Sequence, residues 1–215
     1  MDPGPTSVRF LGVLLDSKLT WEAHIESVCK KLKSNIFALR GLAGVVTGDV
    51  LRTAYFALVH SLLTYAVLVW GHAADWGRVF ALQRRAVRIV AGLGYRDDCV
   101  NSFVELGILT FPNLYILENV LYVKNNLDRY PTNSSFHNYD TRHGADLATP
   151  WMRVGRCRNG PNILAVHFFN RLPGNVRDLE LKTFKRVVKG FLLHKPFYST
   201  QEYLTSDSLD LIGKV

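Results

Sequence analysis

A helical repeat of apolar residues in the first half of the chain constrains the fold most strongly. Apolar side chains recur there at three- and four-residue steps, which place them on one face of an α-helix. Glycines separate three such segments, so we predict a three-helix bundle over residues 21–95, in which the second helix is the most buried element. The predicted inward-facing residues are, helix by helix, Ile25, Val28, Cys29, Leu32, Ile36 and Leu39; Leu51, Tyr55, Leu58, Val59, Leu62, Tyr65, Ala66 and Val69; and Val79, Leu82, Ala86, Ile89 and Val90.

Segments outside the bundle carry other patterns. Residues 8–16 are rich in β-branched and aromatic side chains and end in a turn at Asp16, so they are predicted to form one strand of a hairpin. Residues 96–130 are predicted to be a helical extension, and residues 131–215 a loop-rich linker followed by two helices at 162–172 and 182–193. The predicted fold class is mainly α, with a short N-terminal β-hairpin strand, a three-helix bundle, further helices and a loop-rich tail.

The charge balance favours a polyanionic partner. Lys and Arg number 26 against 18 Asp and Glu, a formal net charge of +8, which suits nucleic acid or an acidic membrane surface. Two helix faces concentrate this charge and could contact phosphates without reading bases. The alternative is that each is an ordinary solvated face. The residues are Lys30, Lys31 and Lys33 on the first helix, and Arg84, Arg85 and Arg88 on the third.

The cysteine pattern and the hydropathy predict the cellular compartment of the chain. Cys29, Cys99 and Cys157 are far apart and form no CxxC pair, so we predict neither disulfides nor zinc and expect an intracellular protein of the nucleus or cytoplasm. Residues 53–71 are uncharged and about as long as the ~20 residues of a membrane span. Polar residues dilute this run, which favours a core helix, and no membrane partner is predicted.

Several motifs resemble one protein family in order and spacing. The run Phe10-Leu11-Gly12-Val13-x-Leu15-Asp16-x-x-Leu19-x-Trp21-x-x-His24-Ile25 resembles the segment that follows the catalytic palm in reverse transcriptases of non-LTR retrotransposons, above all jockey-like elements. Further matches extend the resemblance over nearly the whole chain. They are Leu51-Arg52-Thr53-Ala54-Tyr55, Leu63-x-Tyr65-x-x-x-x-Trp70-Gly71, Leu82-Gln83-Arg84-Arg85-Ala86-x-Arg88-Ile89, Glu105-Leu106-Gly107-Ile108-Leu109, Tyr139-Asp140-x-Arg142, Phe169-Asn170-x-Leu172-Pro173 and Phe184-Lys185.

The resemblance implies a nucleic-acid-gripping role. Phe10, Leu11 and Gly12 would belong to the primer grip, with residues 1–20 ending the palm and residues 21–95 forming a thumb-like bundle. Gly12 would let the backbone approach another chain closely. The implied partners are an RNA/DNA template–primer duplex and the palm and fingers of the same polyprotein. The implied cofactor is Mg²⁺ in the intact enzyme and none in this chain.

No residue is assigned a catalytic or metal-binding role. Nucleotidyl transfer needs paired carboxylates, which reverse transcriptases carry in a Tyr/Phe-Ala-Asp-Asp turn between apolar strands. Tyr95-Arg96-Asp97-Asp98 resembles that turn only superficially, because it follows a glycine-ended helix and comes after the Phe-Leu-Gly strand. We predict that Asp97 and Asp98 lie in a loop or helix-capping region. His24 is predicted to be a packed or capping histidine.

The resemblance leaves three functional hypotheses. The leading one is a non-catalytic C-terminal fragment of an RNA-directed DNA polymerase that grips template–primer nucleic acid. The second is a retained element remnant that binds a protein partner through the apolar surface that the palm would cover. The third is an enzyme whose chemistry lacks a recognisable motif. Salt-sensitive nucleic-acid affinity would favour the first hypothesis, and tight oligomerisation without such affinity the second.

Overall fold

The computed structural model describes residues 7–136, 143–149, 161–207 and 212. The motif residues Tyr139, Asp140 and Arg142 lie outside these ranges, as does Cys157. The chain divides into two compact units, Met1–Phe111 and Pro112–Val215.

The first unit is an antiparallel hairpin followed by helices, which confirms the predicted fold class. The helices pack against one another, and the second strand packs on the first helix. Its described elements are β1 (Ser7–Phe10), β2 (Val13–Asp16), α1 (Glu22–Leu42), α2 (Gly48–Tyr55), a π-helical turn (Phe56–His60), α3 (Ser61–Thr64), α4 (Val67–Trp70), α5 (Trp76–Ala91) and α6 (Val100–Glu105).

The hairpin turns earlier than the sequence pattern indicates. Phe10 pairs with Val13 across the two strands, which leaves Leu11 and Gly12 as a two-residue loop. Their φ angles are 45° and 82°, and positive φ at both positions defines the type I′ turn that suits the twist of a hairpin. The prediction of one continuous strand over residues 8–16 is therefore wrong, because this turn divides the segment into both strands of the hairpin.

Helix α1 follows its predicted pattern. All six of its predicted inward-facing side chains are buried, and the lysines on its other face are exposed. The helix ends two residues before Gly44, whose φ of +84° an L-residue rarely adopts.

Residues 48–70 do not form the continuous helix that the apolar stripe predicts. A π-helical turn follows α2, and Ala66, with φ of 52°, separates α3 from α4. The buried positions here are spaced mainly by four, wider than the 3.6 residues of an α-turn, and the wider π turn accommodates this spacing. Predicted core residues therefore move outward: Leu58 and Leu62 are half-buried, and Tyr65 and Val69 are exposed. The buried residues are Leu51, Tyr55, Val59, Leu63, Val67 and Trp70.

Helix α5 closes the core of the first unit around a buried amide. Gln83 is fully buried; its Nε2 donates to the Tyr55 hydroxyl at 3.0 Å and to the Leu109 carbonyl at 2.8 Å. Its Oε1 accepts from the Phe111 amide at 2.7 Å. This network satisfies the amide on both sides, as a buried polar group requires. The apolar repeat misses Gln83 because it is polar, and it wrongly buries Leu82 and Ile89, which are half-buried.

The second unit is also helical in the residues described. Its first helix is buried along most of its length, so the prediction that the second bundle helix is the most buried element is wrong. The described elements are α7 (Phe111–Asn125), whose first residue belongs to the first unit, two 3₁₀ turns (Leu127–Arg129 and Asn133–Ser135), α8 (Pro161–Asn170), α9 (Gly174–Arg177), α10 (Leu181–His194) and α11 (Thr200–Thr205).

Part of the predicted linker is anchored in the second unit. Leu147 is 5% exposed and forms an isolated antiparallel bridge with Thr132. The Asn170 side chain accepts from the Leu147 amide at 2.9 Å and donates to the Leu147 carbonyl at 2.8 Å. The Asn170 side chain thus makes the two backbone hydrogen bonds that a neighbouring strand would otherwise make. A single paired residue leaves no periodic pattern, so the sequence gives no sign that Leu147 is buried.

The uncharged run at residues 53–71 raises the question of a membrane-spanning helix. Throughout the part of the chain that the structure describes, no helix combines the length and apolar character needed to cross a bilayer.

Candidate nucleic-acid interface

The tip of the hairpin presents apolar side chains on a supported backbone. Phe10 is 62% exposed and Leu11 is 74% exposed. Beneath them, the Tyr65 hydroxyl donates to the Leu11 carbonyl oxygen. A Cβ atom on Gly12 would lie 3.6 Å from the Tyr65 ring, so the turn packs directly on that ring. The structure therefore brings Phe10, Leu11 and Gly12 together at one exposed turn.

The backbone of Leu11 adopts an unfavourable conformation. Its φ of 45° lies in the left-handed region, which costs an L-residue roughly 1–2 kcal/mol. Such strain persists only where the surroundings impose it, and it is concentrated at functional sites. The Tyr65 hydrogen bond and the hairpin pairing supply that constraint here.

A buried histidine fixes the second strand to α1. The Leu14 amide donates to Nδ1 of His24 at 3.4 Å, and the His24 ring meets the Trp70 ring edge-on at 5.4 Å between centroids. Burial, assisted by the Lys31 ammonium, lowers the pKa of His24. Because Nδ1 accepts a hydrogen bond, the imidazole in this arrangement is neutral and carries its proton on Nε2. His24 is thus a packed residue, as predicted.

Asp16 fixes the junction between β2 and α1. Its carboxylate accepts from the amides of Lys18 and Thr20 at 3.0 Å and of Trp21 at 2.9 Å, and from the Thr20 hydroxyl at 3.1 Å. Hydrogen bonding, led by the Thr20 amide, lowers the pKa of Asp16. The sequence indicates a turn at this aspartate, but it does not show how many amides the carboxylate binds.

The lysines of α1 remain available to a partner. Lys30, Lys31 and Lys33 are exposed, and within the described residues none of their ammonium groups donates a hydrogen bond or forms an ion pair. Lys31 follows His24 by seven residues, which places it on the same helix face about 10 Å further along the axis. Of the three lysines, Lys31 is therefore the one in line with the residue that holds the hairpin, and Lys30 and Lys33 lie further round the helix.

The arginines of α5 are partly engaged within the protein. Arg84, Arg85 and Arg88 are half-buried. The Arg84 guanidinium lies 5.2 Å from the Phe80 ring centroid, and Nε of Arg88 donates to the Asp97 carbonyl at 2.6 Å. Arg88 therefore supports the loop after α5. We consider this face the weaker of the two phosphate-binding candidates.

Asp97 and Asp98 cap local backbone. The Gly94 amide donates to Oδ2 of Asp97 at 2.7 Å, and the Val100 amide donates to Oδ1 of Asp98 at 3.2 Å. They lie in the loop before α6, as the residue pattern predicts. Within the described ranges, no group of at least three His, Cys, Asp or Glu residues could hold a metal ion. Both carboxylates are thus engaged with local backbone amides.

The tryptophans differ in their surroundings. Trp70 is fully buried, stacks on Phe111 at 5.4 Å and donates from Nε1 to the Tyr65 carbonyl at 2.9 Å. This bond ties α4 to the residue that supports the hairpin. Trp76 is half-buried against the same phenylalanine, and Trp151 lies outside the described residues.

Comparison with known proteins relates part of the chain to RNA-directed DNA polymerases of transposons. It is 28% identical over 96 residues to the probable RNA-directed DNA polymerase from transposon BS of Drosophila melanogaster, which covers 42% of this chain and 11% of that protein. It is 26% identical over 95 residues to the probable polymerase from transposon X-element of the same organism, over 42% of this chain and 10% of the relative. The matched region thus spans about a tenth of each relative. No family model and no solved structure matches the chain.

Proposed function

We propose that this chain is the primer-grip and thumb-like part of a jockey-like, non-LTR reverse transcriptase, located C-terminal to the catalytic palm. Its role is to hold a template–primer duplex. The partial similarity to transposon polymerases supports the polymerase relation. The order of the motifs supports the position within such an enzyme.

The anchored hairpin tip carries the proposal. A group that positions a strand end must already be ordered before the strand arrives, because ordering it on binding would cost affinity. Tyr65, His24 and Asp16 hold the hairpin at its tip, its second strand and its base. Phe10 and Leu11 stay exposed on this fixed backbone. The tip can therefore press against a terminal sugar and base without first being ordered.

The α1 lysines supply the affinity in this proposal. Lys30, Lys31 and Lys33 would pair with phosphates of the duplex and release bound counterions. Such contacts carry no sequence information, which suits a surface that must follow every template. The hairpin then sets where the strand end lies, and the lysines hold the duplex behind it.

The polymerisation chemistry belongs to other residues in this proposal. In the intact enzyme Mg²⁺ would supply electrostatic stabilisation of phosphoryl transfer from its site on the palm. The purified chain should therefore extend no primer on any template with any divalent metal. Extension that disappears in Asp97→Ala would overturn this part of the proposal.

A salt titration tests the duplex-holding function. Affinity for a labelled RNA/DNA hybrid should fall steeply with salt. In a plot of log affinity against log salt concentration, each phosphate contact should contribute about −0.9 to the slope. The triple change Lys30→Gln, Lys31→Gln and Lys33→Gln should lower that slope by about 2 to 3. The triple change Arg96→Gln, Arg129→Gln and Lys195→Gln removes equal charge from other exposed sites and should leave it unchanged. Equal slopes in the two variants would reject α1 as the interface.

A second candidate function is protein binding through the hairpin. Val8, Phe10, Leu11 and Leu19 are 57%, 62%, 74% and 58% exposed, and in the described residues the outer edge of β1 pairs with no other strand. Exposed apolar surface and an open strand edge both favour association. Concentration-dependent assembly without duplex binding, lost in Phe10→Ser with Leu11→Ser, would favour this candidate over the first.

A further inference from the structure

Helix α10 carries a second band of positive charge, in the other unit of the chain. Between residues 181 and 195 the chain has five Lys or Arg residues and no Asp or Glu. Four of these cations fall within an arc of about 100° on the helix and span about 10 Å of its axis. All four are exposed. They are Lys182, Lys185, Arg186 and Lys189, and we call them the α10 basic band.

The apolar residues of α10 are turned away from this band. Phe184, Val188 and Leu192 are at most 1% exposed. The Asn113 side chain donates to the Leu192 carbonyl at 2.6 Å and to the Lys195 carbonyl at 2.8 Å, which ties the end of α10 to α7. The band thus lies on a helix whose other face is fixed, and its orientation cannot change without unpacking the core of the second unit.

Basic residues outside the band show the contrast. Lys124 donates to the Arg177 carbonyl at 2.5 Å, and Arg177 pairs with the Asp146 carboxylate at 2.8 Å. These two cations have structural roles. No side chain of the α10 basic band forms a hydrogen bond or an ion pair with any described residue.

We propose that the α10 basic band binds the phosphate backbone of duplex nucleic acid, as a second contact separate from the hairpin and α1. Four cations on one rigid face can neutralise several successive phosphates of a strand. Single-strand sites need exposed aromatic rings on which bases stack, and both phenylalanines of α10 lie off the band. The favoured ligand is therefore a duplex held by its backbone, whose sequence the band does not read.

An anionic membrane fits this surface less well. A helix that lies on a bilayer buries an apolar face among the lipid chains. The apolar face of α10 is instead buried in the protein, and the band offers only charge. The same observation separates this proposal from protein docking through an apolar groove.

The test compares two double variants of the full chain. Lys185→Gln with Lys189→Gln removes two charges from the band, and Arg129→Gln with Lys195→Gln removes two exposed charges from elsewhere in the same unit. Binding to a labelled duplex of 30 base pairs is measured across a salt series. The first variant should lower the logarithmic salt slope by about 2, and the second should leave it within about 0.5.

The outcomes separate this inference from the proposed function. A slope that falls in the band variant supports the inference even if the α1 lysine variant behaves like the unmodified chain. Equal slopes in the two double variants overturn it, whatever α1 does. It is also overturned if vesicles with 30% phosphatidylserine bind the chain through the band while duplex binding is unaffected. Circular dichroism melting should be the same for both variants, because all four altered side chains are exposed.

Discussion

The Tyr65 hydroxyl donates a hydrogen bond to the carbonyl oxygen of Leu11, joining two residues 54 positions apart. This bond connects the break between α3 and α4 to the tip of the hairpin. The backbone of the tip therefore depends on a residue whose own carbonyl is held by Trp70.

Replacing Tyr65 with Phe should loosen the tip without unfolding the first unit. Tyr65 is 54% exposed, so the change removes mainly one hydrogen bond, worth roughly 0.5–1.5 kcal/mol. Hydrogen exchange should accelerate at the amides of residues 10–14. Tyr95→Phe, at a 74% exposed tyrosine, is the control and should leave those rates unchanged. Equal exchange in both variants would show that Tyr65 does not support the turn.

Two adjacent leucines test the π-helical turn. Leu63 is fully buried, whereas Leu62 is half-buried. Leu63→Ala should lower the free energy of unfolding by about 2–5 kcal/mol, and Leu62→Ala by on the order of 1 kcal/mol. Urea titrations followed by circular dichroism would measure both. A larger loss of stability in Leu62→Ala than in Leu63→Ala would instead support the continuous helix that the sequence pattern predicts, in which Leu62 faces inward.

Stability should fall as the pH drops below about 6.5, the ordinary pKa of histidine. Burial lowers the pKa of His24 and of His72 in the folded chain. The unfolded chain therefore takes up protons first, so stability is full above pH 6.5 and is lost as the pH falls towards the lowered values. His24→Gln keeps an acceptor for the Leu14 amide and should reduce this loss between pH 6.5 and 5. His194→Gln, at an exposed site, should not. Identical pH profiles for all three proteins would contradict the neutral, buried His24.

The second unit should depend on Asn170. Asn170→Ala leaves the amide and carbonyl of buried Leu147 without their side-chain partner, at a cost of about 2 kcal/mol. Thermal melting and limited proteolysis near residue 147 would report the loss. Asn175→Ala, at an exposed asparagine, is the matched control. Should both variants melt alike, the Asn170 side chain would have no anchoring role.

How far the sequence predicts this structure depends on whether a feature repeats. The buried face of α1 and the exposure of its lysines follow from period alone, and both are correct. The pattern places the turn at Asp16 and misses the one at Leu11 and Gly12, because Leu11 adopts a positive φ that leucine rarely takes. Leu63 was missed because a π turn shifts the helical phase by about one residue.

The candidate site, like the fold, is only partly predictable from the sequence. The residues of the hairpin tip and both basic faces were named from motif and charge pattern. Tyr65, His24 and Asp16 are also named there, but not as supports of the hairpin, because they act through hydrogen bonds to distant or successive backbone groups. Such contacts leave no spacing rule in a sequence. The hydrogen bond from Arg88 to the Asp97 carbonyl cannot be predicted from the sequence for the same reason.

Photo-cross-linking from the primer end tests whether the hairpin tip contacts the 3′ end of the primer. A primer carrying 5-iodo-2′-deoxyuridine at its 3′ end is annealed to an RNA template, bound to the full chain and irradiated. Trypsin cleaves after Arg9 and Lys18, so residues 10–18 form one peptide that contains the hairpin tip. This peptide should carry most of the cross-link, and a probe placed ten nucleotides upstream should not label it. Equal labelling of the peptide by both probes, or 3′-end cross-links confined to other peptides, would contradict the claim that the hairpin grips the primer end.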